Sequence, residues 1–315
     1  MLSRKDWRRA AYFVVPGFVL LAWLIFLHRS TGYWLGNPGF RNYNIAYALH
    51  PARVATSFVR HIYYLFFAEF RWIGTLVLLF TIRTAKAFRN DAWRVVIAVA
   101  VANTLLVTVL GGAELERYLL PVLPFFYIAV AVALSYVRPW TRITAVAGLA
   151  AGLVLSLFWN PPYPFPYENN YAMVDFVRLQ QLAAHFAERN LANRTIATAW
   201  PYSAALKSPD YGFVDHQLDV LETNDFHLAS IRALPARRYD VLITYTRTWA
   251  PKRGVIAIPV VRQFLSRFYD FEPEISADQC RQLGLNKVMS WKRRGQEITI
   301  YMRNGAAAAS GMALL

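Results

Sequence analysis

Apolar runs of roughly 16 to 21 residues recur through the first half of the chain, at 10–27, 62–82, 93–110, 119–137 and 143–158. No other feature constrains the fold as much. At ~1.5 Å rise per residue a helix of about 20 residues crosses a ~30 Å hydrocarbon layer, so this reading excludes a wholly water-soluble protein. The charge distribution divides the chain in the same way. Residues 1–159 hold 16 Lys+Arg and 5 Asp+Glu, which leaves 18 and 14 for residues 160–315. The expected fold is a multi-span α-helical membrane protein with about five transmembrane helices, followed by a small α/β extracytoplasmic domain.

The net charge of +15 invites a nucleic-acid reading, but much of it is placed as membrane topology requires. Arg4, Lys5, Arg8 and Arg9 precede the first run, Arg83, Lys86, Arg89 and Arg94 separate the second from the third, and Arg138 and Arg142 bracket the last turn. That alternation is the positive-inside pattern. It puts the N-terminus inside and the C-terminal domain outside a cytoplasmic membrane, with lipid as the partner and no nucleic acid. The first run is a poor signal peptide: Pro16-Gly17 interrupts it and no small-residue cleavage site follows. An outside loop then carries turn formers, among them Asn37-Pro38-Gly39 and Asn42-Tyr43-Asn44. After it, residues 51–61 read as an interfacial helix, with Val54, Phe58, Val59 and Ile62 on one face and Arg53, Thr56, Ser57 and Arg60 on the other.

The proline-rich stretch at 160–166 cannot continue a helix, so the outer domain is expected over 160–304. It opens with an amphipathic helix at 171–189. Strand candidates follow at 195–200, 219–221 and 239–245, helices at 226–234, 260–268 and 277–283, and a hairpin whose arms at 288–292 and 297–302 flank Arg293-Arg294-Gly295-Gln296. Residues 305–315 read as a flexible tail.

Chemistry is confined to two places. A lone cysteine, Cys280, allows neither an internal disulfide nor a thiolate cluster, and the six histidines show no metal-ligand spacing. Phosphate-loop, dinucleotide and nucleophile-elbow motifs are absent. Charges near membrane depth, at a cost of at least ~2.5 kcal/mol each at the centre, need a reason. The first group, Glu114, Glu116 and Arg117 with Tyr118, stands at the mouth of the fourth run. There a guanidinium can fork onto a phosphate, and the carboxylates can orient it or hold a divalent metal. The other reading is a plain interfacial anchor. The second group is Glu69 and Arg71, some 10–14 Å into the second run by helical rise. At i,i+2 on a helix they cannot pair. Either the helix breaks near 68–72 and both face a polar cavity, or an interfacial helix extends to Phe70 and a short tilted span follows.

Glu-Arg-Tyr-Leu-Leu-Pro-Val-Leu-Pro at 116–124, Gly-Asn-Pro-Gly-Phe-Arg-Asn-Tyr-Asn at 36–44 and Thr-Ala-Trp-Pro at 198–201 together resemble the bacterial GT-C glycosyltransferases. These are the protein O-mannosyltransferase and aminoarabinose transferase group, and the likeness is to their C-terminal half. The resemblance implies transfer of a sugar from a polyprenyl-phosphate donor to an extracytoplasmic acceptor, with no cofactor. It places Arg117, Tyr118 and Glu116 beside the donor phosphate; Glu69, Arg71, Glu114, Asn42 and Asn44 are the further residues expected to line a cavity. The family's catalytic base is an acidic residue in its first outside loop, whereas residues 29–49 contain no Asp or Glu. The expectation is a C-terminal portion that works with a separately encoded N-terminal half. The alternative is a non-catalytic subunit that binds lipid phosphate or acceptor.

Overall fold

A computed structural model describes residues 11–12, 14–34, 46–110, 115–161, 163–165, 167–247, 249, 254–269 and 271–304. The chain divides into two compact units, Met1–Leu153 and Val154–Leu315. Among the described residues, unit 1 contains α1 (Val14–Thr31), α2 (Pro51–Phe66), α3 (Trp72–Thr81), α4 (Asp91–Leu110), α5 (Leu123–Leu134) and most of α6 (Pro139–Ser156).

This is not the expected five-span architecture. Two helices, α1 and α4, are long and apolar enough to cross a bilayer. The run at 62–82 is cut by a break at Phe67–Arg71, which leaves α3 only 10 residues, or about 15 Å of rise. The run at 119–137 starts on a 3-10 turn, Glu116–Leu119, and with Pro121 and Pro124 near its start the regular helix α5 begins only at Leu123 and has 12 residues. Helix α6 has the length, but Thr141 and Arg142 in its first turn dilute its apolar character. Arg142 instead caps its predecessor: Nε donates to the Leu134 carbonyl of α5 at 2.9 Å, which satisfies a C-terminal group that a helix leaves open. The first basic cluster, Arg4–Arg9, lies outside the described residues, as does the tail at 305–315.

Helix α2 starts where His50 Nδ1 accepts the Ala52 N–H at 3.2 Å, with Pro51 in the first turn. It runs five residues past the interfacial segment expected at 51–61. Its buried side chains include Ser57, His61 and Tyr64, while Phe58 and Val59 are exposed. The facing helix α4 buries only Thr104 and Thr108. A soluble protein would place these residues the other way round.

Unit 2 contains α7 (Ala172–Leu191), β1 (Ile196–Ala199), α8 (Tyr202–Lys207), β2 (Val220–Thr223), α9 (Leu228–Ala233), β3 (Val241–Tyr245), α10 (Pro259–Tyr269), α11 (Ala277–Gln282), β4 (Leu285–Arg293) and β5 (Gln296–Arg303). The strands form one mixed sheet in the order β2-β1-β3-β5-β4, with β1 parallel to β2 and β3 and with β5 antiparallel to its neighbours. Strand β1 is buried at all four positions, as befits a central parallel strand, and its one polar side chain, Thr198, donates its hydroxyl to the Ile243 carbonyl at 2.8 Å. Arg294 (φ 44°) and Gly295 (φ 85°) close the β4–β5 hairpin, the left-handed pair that a tight two-residue turn demands. Helix α7 is tied to this hairpin by Asp175, which pairs with Arg293 and lies 3.6 Å from Arg294 Nε.

Candidate functional site

The break between α2 and α3 positions the charged groups of unit 1. Glu69 (φ 52°) and Phe70 (φ 62°) are consecutive left-handed residues without being glycine, a conformation costing about 1–3 kcal/mol each. Three contacts hold it. The Thr75 hydroxyl donates to the Phe66 carbonyl, freed by the break, at 2.6 Å. The Arg71 N–H donates to the Ala68 carbonyl at 2.8 Å. Phe70 lies so close over Gly152 of α6 that a Cβ there would collide with it.

Arg71 emerges from this turn as the largest fully buried side chain, 1% exposed. Its guanidinium lies 3.3 Å from Glu69 Oε2 and contacts Glu116 Oε1 through the same nitrogen. Of the two readings of this stretch the break near 68–72 is the one found, and with the helix interrupted the i,i+2 restriction lapses: the left-handed turn folds Glu69 back toward Arg71. Glu116 comes from the 3-10 turn, whose neighbour Leu119 is buried in a cluster with Tyr64, Leu65, Ala68 and Val122. That anchor carries Glu116 across to Arg71. Burial pushes the Glu116 carboxyl up to about 7 against the opposing pull of Arg71, with Glu69 adding a push of its own.

Other polar groups surround this triad. Arg60 is within electrostatic reach of Glu116, and its Nε donates to the Tyr64 hydroxyl at 2.9 Å. Tyr127 of α5 is within reach of all three charges. His61 is fully buried, with Nδ1 2.9 Å from Thr108 Oγ1; burial pulls its pKa down to about 4, so it is neutral at physiological pH. Sequence reasoning did not select Arg60, His61 or Tyr127 as site residues. One signal was available: Ser57/His61 on α2 and Thr104/Thr108 on α4 are both i,i+4 pairs, each a polar stripe on one face.

Of the expected site residues, Glu69, Arg71 and Glu116 are brought together. Arg117 and Tyr118 follow on the same turn. Arg117 is exposed, with its guanidinium 5.6 Å from the Tyr118 ring centroid, while Tyr118 is half-buried. Glu114, Asn42 and Asn44 lie outside the described residues. Chemically, Arg71 engages two carboxylates through one nitrogen, while its buried Nε has no hydrogen-bond partner; it serves as an internal tie, whereas Arg117 is exposed. Among the described residues no group of three or more His, Cys, Asp or Glu side chains is placed to hold a metal.

The chain matches no protein-family model, no curated protein and no solved structure.

Proposed function

We propose that unit 1 sits in a bilayer and binds the phosphate of a polyprenyl-linked sugar at Arg117, as the donor side of an extracytoplasmic sugar transfer. The membrane half of this reading is supported by the reversed packing of unit 1. Ser57, His61, Arg71, Thr104, Thr108 and Glu116 are buried, while among the described residues 38 large apolar side chains between Tyr12 and Leu153 are exposed, against 14 from Val154 onward. An apolar surface of that extent needs an apolar solvent, and polar groups at such depth turn toward the interior of a bundle.

The phosphate half is carried by one observation: an exposed guanidinium directly follows a glutamate that is tied down by Arg71. The tie fixes the turn that presents Arg117. A forked guanidinium held this way suits a phosphodiester and would neutralise charge on the departing lipid phosphate. Arg117→Ala is expected to weaken binding of a short-chain polyprenyl phosphate by about 1.5–3 kcal/mol, the range for charged hydrogen bonds. Equal affinity of variant and wild type, measured by titration in detergent, removes this role.

A non-catalytic binding subunit is the second reading, and a specific observation favours it. Both carboxylates of the described cluster, Glu69 and Glu116, are engaged with Arg71, so neither is poised as a general base toward an acceptor. Sugar transfer by the purified chain alone would decide for the enzyme; donor binding with transfer only after a second protein is added would decide for the subunit.

A further inference from the structure

The parallel part of the unit 2 sheet changes direction at β1. From β1 the chain runs through α8 to β2 on one side, and from β2 through α9 to β3 on the other. In open α/β sheets such a switch opens a crevice at the carboxyl ends of the diverging strands, and ligands seat there. Position alone assigns no ligand; the side chains at this edge do. Ala199 pairs with Thr223 across β1 and β2, so Trp200 and Asn224 leave the two strands side by side. Both are exposed, Trp200 at 63%. From beyond β3 the Arg247 guanidinium donates to the Asn224 carbonyl at 2.9 Å, which ties the exits of β2 and β3 together across the end of β1. Arg247 is within electrostatic reach of Asp225, and its backbone hydrogen-bonds the Glu274 carboxylate. Asp225 accepts the His227 N–H at 2.8 Å. The Nδ1 atom of His227 lies 3.5 Å from Asp225 Oδ1 and 4.0 Å from Glu272 Oε2. Two carboxylates thus flank one ring nitrogen, while Nε2 makes no hydrogen bond among the described residues.

We propose that this edge of unit 2 binds a neutral saccharide. The exposed indole offers a flat apolar face to the C–H side of a sugar ring. Along the same edge stand groups that satisfy hydroxyls in both senses: Glu272 and Glu274 accept, and the open Nε2 of His227 donates or accepts according to its tautomer. An apolar platform with a few convergent polar groups is the usual composition of a small-molecule site. Charged ligands fit less well. Three carboxylates against one guanidinium repel a phosphate, and Arg247, held in the middle of the cluster by the Asn224 carbonyl, repels an ammonium. A neutral ring with several hydroxyls meets neither repulsion. The inference rests on the sugar-transfer reading only in making that saccharide the acceptor; binding itself requires neither Arg117 nor a donor.

The test uses the full chain in phospholipid nanodiscs and saturation-transfer NMR with maltose, lactose, mannobiose and chitobiose as probes. At least one of these is expected to take up saturation from the protein. Its affinity, obtained by titration, should fall about tenfold in Trp200→Ala, in His227→Ala and in Glu272→Gln, whereas Trp200→Phe keeps most of it and Arg117→Ala all of it. The melting transition of unit 2 reports whether each variant is folded, and Glu272→Gln alters a carboxylate that is 63% exposed, so it tests the site without disturbing the core. Saturation of none of the four sugars would overturn the inference, as would binding that survives both Trp200→Ala and Glu272→Gln. Displacement of the sugar by spermidine or by inorganic phosphate would overturn it too, by showing a charged ligand. A sugar lost with Arg117→Ala but kept by Trp200→Ala would belong to the donor side, with the same consequence. Unchanged polyprenyl-phosphate binding in Arg117→Ala bears on the donor reading alone, which separates the two failures.

Discussion

In unit 2 one continuous cluster, from Phe165 to Met302, buries apolar side chains of β1, β3, β4, β5 and α7, with those of β2 packed against it; the one buried charged side chain among its described residues, Asp175, pairs with Arg293 of the hairpin. In unit 1 the apolar clusters are small, seven and five buried residues, while an arginine, a glutamate, a histidine, a serine and three threonines of the described residues occupy the interior. The difference shows what each surface is built to meet. Where the outside is water, burial of apolar area drives packing. Where the outside is apolar, that drive disappears and packing depends on polar contacts and close approach of small residues. Gly74 fits this pattern, since a Cβ there would press on Val130 at 2.8 Å.

If this contrast holds, the two units respond differently to loss of a polar group. The largest effect is expected for Arg71→Met, which leaves Glu69 and Glu116 buried together. Breaking a buried pair from one side costs about 3–5 kcal/mol, so the melting transition of unit 1 in detergent should drop sharply while that of unit 2 stays in place. A shift common to both transitions, or none, would break the comparison.

pH supplies the next test. Glu116 lies outside both long apolar helices, and its folded value of about 7 stands above the ordinary 4.5. Glu116 therefore contributes stability to unit 1 that is fullest below about pH 4.5, is lost as the pH rises toward 7 and levels off above it, while His61, held down to about 4 from 6.5, contributes in the opposite sense, gaining as the pH rises from 4 to 6.5. Each contribution amounts to at most about 3 kcal/mol at 1.36 kcal/mol per unit. The two offset each other in the wild type, so Glu116→Gln should expose a stability that rises with pH up to about 6.5; an unchanged pH profile after the substitution removes the Glu116 contribution.

Gly152→Ala should cost about 1–3 kcal/mol by overpacking, because its Cβ meets Phe70 in the left-handed turn. Paired with Phe70→Ala, the cost should shrink, and a double-mutant cycle reads the coupling. The smallest effect belongs to unit 2. Ser276 accepts the Gln279 N–H at 3.2 Å while the Gln279 side chain accepts the Ser276 N–H at 2.9 Å. Removal of this capping box by Ser276→Ala should cost about 1 kcal/mol without altering the transition of unit 1.

Legibility from sequence also differed between the units. Strands β1 and β3 fall inside the segments expected at 195–200 and 239–245, because short β-branched runs bounded by turn formers depend on local preference. The hairpin turn at Arg294-Gly295 was legible for the same reason. In unit 1 apolar content was legible but helix length was not. Nothing in the run at 62–82 indicates locally that Glu69 and Phe70 will adopt positive φ, since both residues avoid that conformation in isolation. The candidate site was visible as two separate charged groups, and their union was not, because Glu69 and Glu116 are 47 positions apart.

By itself, the sequence determined where apolar segments lie, where charge is dense, and that residues 69–71 and 116–118 needed an explanation at membrane depth. Tertiary structure decided that residues 69–71 and Glu116 form one cluster, that α2 packs its polar side inward, and that among the described residues only α1 and α4 are both long and apolar enough to span a bilayer. The physical reason is that a buried charge has no preferred local conformation. It is stabilised by whatever counter-charge the fold delivers, so Arg71 acquires its conformation and its role only when Leu119 packs and brings Glu116 to it.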